Sequence, residues 1–183
     1  MKITPAFALF TLVFATCFAA PDPAPRPNII LIFTDDQGYQ DLGCFGSQKI
    51  KTPHLDRMAR EGLMLTSFYA QPVCGVSRAS LMTGSYPIRV GEPGNMKRLH
   101  TVLHPEEVTM AETLKDAGYA TAIIGKWHLA GSPRKPDNEY DPTLMPNAQG
   151  FDYFYGTPRY NGFTVHVEDT PIRSRLMRNE EVV

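Results

Sequence analysis

Apolar residues along the 183-residue chain gather in short runs separated by polar, glycine and proline punctuation. Asn28 to Phe33 is continuous and apolar, then breaks into Thr34-Asp35-Asp36-Gln37-Gly38. That pattern predicts a strand buried on both faces. Thr52-Pro53 reads as an N-cap and first-turn pair. Leu55, Met58 and Ala59 follow at helical spacing and Gly62 supplies the stop, so a helix is predicted there. Leu63 to Tyr69 reads as a second strand leading to Cys74. Ser77 is placed to cap a short helix ending at Thr83 and Gly84. Thr109 with Glu112 forms a capping box for a further helix that stops at Gly118. Tyr119 to Ile124 reads as a third strand. Beyond Leu129 the pattern fades into Pro-, Asn- and Asp-rich sequence through Gln149, followed by the aromatic cluster Phe151 to Gly156. Long surface loops are expected there, with at most one more strand near Phe163 to Val167. Strands alternating with helices at this spacing imply βαβ units. The expected fold class is α/β, with a largely parallel central sheet between helices.

The first 20 residues stand apart. Ala6 to Ala20 is apolar except for two threonines, follows Lys2, and ends in small residues before Pro21, Pro23, Pro25 and Pro27. This predicts a secretory signal peptide over residues 1–20 and a Pro-rich linker over 21–27. Fifteen residues fall short of the ~20 that span a bilayer as a helix, so no stable membrane insertion is expected. Export to the periplasm or the extracellular space follows, or to the lysosome in a eukaryotic cell. The sequence has no Asn-Xaa-Ser/Thr sequon, which leans towards bacterial export.

Composition narrows the field. Gly and Pro together make 30 of 183 residues, below the level of a low-complexity chain, and 43% of residues are hydrophobic. A net charge of −1 without charge runs gives no reason to expect a nucleic-acid partner. Outside the signal the chain keeps Cys44 and Cys74, and one disulfide between them is the ordinary reading for an oxidising compartment.

Open parallel α/β sheets build sites outside the carboxyl ends of their strands. The three predicted strands end at Asp35 and Asp36, at Cys74, Ser77 and Arg78, and at Lys126 and His128. Two carboxylates, a nucleophile, two fixed cations and an acid/base are the groups that hydrolysis of an anionic ester requires. Paired carboxylates suit Ca²⁺ or Mg²⁺, as hard oxygen donors. Taken singly, each group also has a plain structural use: a capping Asp after a strand, or a loop histidine beside an aromatic.

The stretch Cys74 to Gly84, CGVSRASLMTG, resembles the signature of the type I sulfatases, the formylglycine-dependent, arylsulfatase-like family of the alkaline phosphatase superfamily. So do Asn28 to Gly38, Asp41 to Gly46, Thr52 to Gly62 and Gly125 to Leu129, in the same order, over most of residues 27–160. The resemblance implies an alkaline-phosphatase-like fold and a sulfuric ester hydrolase. Cys74 would become formylglycine, through a formylglycine-generating enzyme or a radical maturase. Its hydrated aldehyde would be the nucleophile, one hydroxyl attacking sulfur and the other collapsing to release sulfate. Asp35, Asp36 and the modified Cys74 would bind the metal, usually Ca²⁺ with Mg²⁺ as the lesser candidate. Arg78 and His128 would serve catalysis, and Lys126 would bind the sulfate group of an aryl or carbohydrate sulfate ester. Cys44 matches no catalytic role.

Two departures stand out. Val76 occupies a position that the family usually gives to Pro or Ala. The family's remaining metal ligands, an Asp followed by Asn or His, are expected far downstream. Asp137-Asn138 imitates the pair, but in a Pro-rich stretch with no preceding strand. Residues 28–183 are therefore expected to be the N-terminal part of a larger catalytic domain. A phosphoester or phosphonate hydrolase of the same superfamily, and an inactive exported remnant with Cys44 bonded to Cys74, are the alternatives.

Overall fold

The computed structural model describes residues 26–90, 103–130, 140–158, 165–167, 170–172 and 176–183. The predicted signal peptide, most of the linker, Asp137, Asn138 and Phe163 lie outside the described residues. The chain divides into two compact units, residues 1–38 and 39–183.

In the first unit, Asn28 to Phe33 is not the predicted strand. It runs without strand pairing, with Ile30 85% exposed. A fully apolar strand is stable only when ladder partners flank it and other layers cover both faces; among the described residues the run is assigned to no strand and its apolar side chains are exposed. The segment then turns at Asp35 and Asp36, where Asp36 adopts φ 54°, a left-handed conformation that Asp tolerates better than most residues.

The second unit holds the helices and the sheet. Helix α1, Pro53–Glu61, forms as predicted, but Thr52 does not cap it through a side-chain hydrogen bond. Its hydroxyl instead accepts from the Gly43 N–H at 2.8 Å and donates to Asp56 Oδ1 at 2.9 Å, while Asp56 also accepts from the Cys44 N–H. Thr52 and Asp56 thus tie the tight turn Gly43–Phe45 to the start of the helix. Leu63 to Tyr69 is also not a strand; it has no ladder, and Leu63 and Tyr69 are exposed.

Helix α2, Cys74–Thr83, begins four residues earlier than predicted, and Gly84 ends it in the left-handed conformation at φ 67°. Ser77 is not its cap. It lies inside the helix, buried, where its hydroxyl both accepts from the Gln71 N–H and donates to the Gln71 carbonyl, each at 3.0 Å. A short helix α3, Pro87–Val90, and helix α4, Met110–Asp116, pack against α2. The capping box is present in full: Thr109 Oγ1 accepts from the Glu112 N–H and Glu112 Oε2 accepts from the Thr109 N–H.

The predicted third strand exists with later bounds: β1 is Ala122–Lys126 rather than Tyr119 to Ile124. It pairs in parallel with β2, Tyr153–Thr157, the strand formed by the aromatic cluster. Strands β3, Val165–Val167, and β4, Thr170–Ile172, make a separate antiparallel pair. Strands β5, Met177–Arg178, and β6, Glu181–Val182, extend the first sheet in the order β1-β2-β5-β6, antiparallel from β2 onwards. The architecture is α/β, with a mixed sheet among the described residues.

The stretch 140–151, expected as surface loop, is partly core. Two tight helical turns, Pro142–Leu144 and Pro146–Gln149, bury Leu144, Met145 and Gln149. Trp127, 1% exposed, is the largest buried side chain; its indole N–H donates to the Leu144 carbonyl at 2.7 Å and its ring meets Phe151 edge-on. A buried indole needs such an acceptor, so these proline-started turns complete the environment that Trp127 requires. Nearby, Asp152 accepts from the Thr121 N–H and pairs with Lys115 at 2.7 Å, joining the end of α4 to the start of the sheet. The Lys115 hydrogen bond, helped by that from Thr121, holds the Asp152 carboxyl below its ordinary range.

Candidate active site

Cys74 is the first residue of α2, preceded by Val73 in an extended conformation. Its amide therefore belongs to the first turn, where backbone N–H groups are open to an outside acceptor and the helix end carries partial positive charge. The Ser77 clamp on Gln71 fixes the chain just before this turn, so the side chain of Cys74 projects from a constrained corner. Cys74 Sγ lies 3.3 Å from His128 Nδ1. Both cysteines are free thiols and partly exposed, so the disulfide considered from composition is not formed.

His128 is held by strand pairing continued past the end of β1. The Trp127 N–H donates to the Thr157 carbonyl at 2.9 Å and the His128 N–H to the Pro158 carbonyl at 3.1 Å. His128 adopts φ 63°, which costs a non-glycine residue on the order of 1 kcal/mol. The buried Trp127 next to it and these two backbone bonds supply the restraint that keeps it there. Arg78, one turn into α2, donates through Nη1 to the carbonyl of Lys126, the last residue of β1. Helix α2 and the end of β1 are thus joined twice, by Arg78 with Lys126 and by Cys74 with His128.

Of the residues expected in the site, the structure brings Cys74, Arg78, Lys126 and His128 to this junction. Asp35 and Asp36 belong to the other unit. Their donor set suits Ca²⁺ in type, since both offer hard carboxylate oxygens, but Ca²⁺ takes 6–8 oxygen ligands and two residues cover only part of that shell. Among the described residues no three His, Cys, Asp or Glu side chains stand together as a metal cluster. Three contributors were missed in the sequence: the Ser77 clamp, the Trp127 anchor, and the glycine pair Gly125 and Gly156, which face each other across β1 and β2. The glycine at the end of the aromatic cluster was the available signal.

At this junction a thiol at a helix start contacts an imidazole, and a guanidinium is bound to the main chain at the end of β1. The sulfatase family model matches residues 27–175, and the chain belongs to the sulfatase family, in the alkaline-phosphatase-like class. It is 47% identical over 165 residues to the steryl-sulfatase of Mus musculus, covering 85% of this chain and 26% of that protein. It is 44% identical over 140 residues to the N-acetylgalactosamine-6-O-sulfatase of Bacteroides thetaiotaomicron, covering 73% and 27%. Among solved structures, Ps i-CgsB aligns with a TM-score of 0.69 at 30% identity, over 87% of this chain and 37% of that one. A sulfatase from the metabolism of multiple glycosaminoglycans by Bacteroides thetaiotaomicron aligns with a TM-score of 0.65 at 40% identity, over 86% and 32%. The chain spans about a quarter of the length of the curated relatives it matches. No described helix is long and apolar enough to cross a membrane.

Proposed function

We propose that this chain carries the nucleophile half of a sulfuric ester hydrolase, with Cys74 as the precursor of a formylglycine. The observation that carries the reading is the contact of Cys74 Sγ with His128 Nδ1 at the start of α2, within a chain of the sulfatase family. In this geometry Sγ stands in for a hydroxyl of the hydrated aldehyde, which supplies two hydroxyls on one carbon and so a way to release bound sulfate without a second nucleophile.

The residues divide the work by chemistry. His128 Nδ1 lies in reach of the reacting hydroxyl and can hold or return its proton. Arg78 and Lys126 place positive charge where the sulfuryl oxygens gain negative charge, and the open N–H groups of the first turn of α2 add to it. Asp35 and Asp36 would hold part of a Ca²⁺ site, whose charge would polarise the oxygens of a bound sulfate group. Asp137 and Asn138 are not assigned to it. The relatives divide between a steryl and an amino-sugar sulfatase, so the substrate proposed is a sulfate ester of an alcohol, whether sterol or carbohydrate. A signal peptide over residues 1–20, a linker over 21–27 and a catalytic segment from residue 28 complete the proposal, with export and a maturation enzyme acting on Cys74.

The test is a parallel assay of aryl sulfate and aryl phosphate, using protein purified from its own host. Sulfate release that is lost in Cys74→Ala supports the reading. Preferential turnover of the phosphate ester, with the sulfate ester untouched, would replace it with a phosphoester hydrolase.

A further inference from the structure

The segment bearing Lys126 and His128 leaves the sheet at a point where two backbones come unusually close. Gly125 and Gly156 are register partners in the parallel pair β1 and β2. A Cβ built on Gly156 would fall inside the Gly125 carbonyl oxygen, and would lie 2.6 Å from its carbonyl carbon and 2.9 Å from its nitrogen. These are all backbone atoms, so no side-chain rotation relieves the overlap. Gly125 itself has φ 111°, a conformation that L side chains rarely adopt, although a Cβ there would meet nothing within 4 Å.

The displacement that a side chain at Gly156 demands has few places to go. Upstream, Ala122 to Ile124 are in register with Tyr153 to Tyr155. Downstream, Trp127 is fixed by its backbone bond to Thr157, its indole bond to Leu144 and its burial. The Trp127 and His128 N–H groups donate to the carbonyls of Thr157 and Pro158, the two residues that follow Gly156, so whatever shift Gly125 and Lys126 do not absorb is carried by β2 to the left-handed turn of His128.

We infer that Gly156 is a positioning residue for His128: the missing side chain lets β1 approach closely enough to hold Nδ1 in contact with residue 74. The inference rests on the proposed role of His128, but its geometric content is independent of that role. A 1 Å misplacement of a catalytic group can cost on the order of 10²-fold in rate. Gly156→Ala is therefore expected to lower kcat on an aryl sulfate about 10- to 100-fold, with a smaller change in KM. The comparison variant is Phe154→Leu, which removes buried volume from the same strand away from the crossing. It is expected to lower the melting temperature while leaving kcat within about 3-fold at a temperature where both variants remain folded.

A second readout needs no activity. In protein with unmodified Cys74 and ¹⁵N-labelled histidine, Cys74→Ala should move the His128 Nδ1 resonance in the wild-type background and leave it nearly unmoved in the Gly156→Ala background. An equal response in both backgrounds overturns the inference, as does a kcat loss in Phe154→Leu matching that of Gly156→Ala. Should Gly156→Ala fail to fold, Gly125→Ala disturbs the same crossing through φ alone and is expected to give the same loss of response; a full response there counts against the inference. A wild-type protein that hydrolyses no sulfate ester yet shows the resonance behaviour retains the inference and loses the proposed function.

Discussion

At the scale of single residues, His128 combines an unfavourable backbone with a contact to the proposed nucleophile. Strain of this kind persists where the surroundings over-determine it, and here Trp127 and two backbone hydrogen bonds do so. His128→Asn keeps a side chain that tolerates the left-handed conformation but removes the imidazole. Turnover of an aryl sulfate is expected to fall about 10²- to 10⁴-fold with the melting temperature nearly unchanged, measured by initial rates and thermal unfolding. Thr109 makes the opposite case, a residue of stability alone. Its hydroxyl accepts from the Glu112 N–H and donates to the buried Gln149 carbonyl. Thr109→Ala should cost about 1–3 kcal/mol in denaturant unfolding, with kcat preserved. The capping box was legible because its donors and acceptors lie three residues apart, whereas Ser77 misled. It carries the residue type of a cap, but its partner Gln71 precedes the helix by a stretch that no local rule anticipates.

At the scale of elements, local signals succeeded where the element satisfies itself. Helices α1 and α4 close their own hydrogen bonds and were readable from spacing and glycine stops, and α4 also from its capping box. Strands depend on neighbours: Asn28 to Phe33 and Leu63 to Tyr69 have strand composition and no ladder, while Tyr153 to Thr157 looked like an aromatic loop and is the central partner of β1. The turn between β5 and β6 shows how a polar side chain completes a strand. Asn179 adopts φ 54° and its Oδ1 accepts from the Phe154 N–H at 2.9 Å. Asn179→Ala removes the acceptor and forces Ala into the left-handed region, for an expected loss of about 2–4 kcal/mol by chemical denaturation. Asn179→Gly should recover the conformational share alone, so a glycine variant no better than the alanine would contradict this division.

Across the whole molecule, helix α2 and the end of β1 are joined by the Arg78 guanidinium, which donates to the Lys126 carbonyl. The proposed metal site is legible only as a donor type, since two adjacent carboxylates state a preference for hard cations without stating how the rest of a shell would be built. Stability carries its own pH signature. Because Lys115 and Thr121 hold Asp152 below the usual carboxylate range, the pair contributes stability fully above the unfolded value near 3.8, and the contribution fades as pH falls through the lower folded value. Melting curves of wild type and Asp152→Asn should therefore differ at neutral pH and converge in acid. Added salt should narrow the neutral gap, since both side chains are partly exposed.

What Cys74 becomes decides the chemistry proposed for this chain. Mass spectrometry of the peptide spanning Cys74 to Arg78, from protein made in its own host, tests this directly. The expected result is a population carrying an aldehyde or its hydrate in place of the thiol, lost when Cys74 is replaced by Ala. A peptide holding only the unmodified thiol would contradict the assignment of the nucleophile.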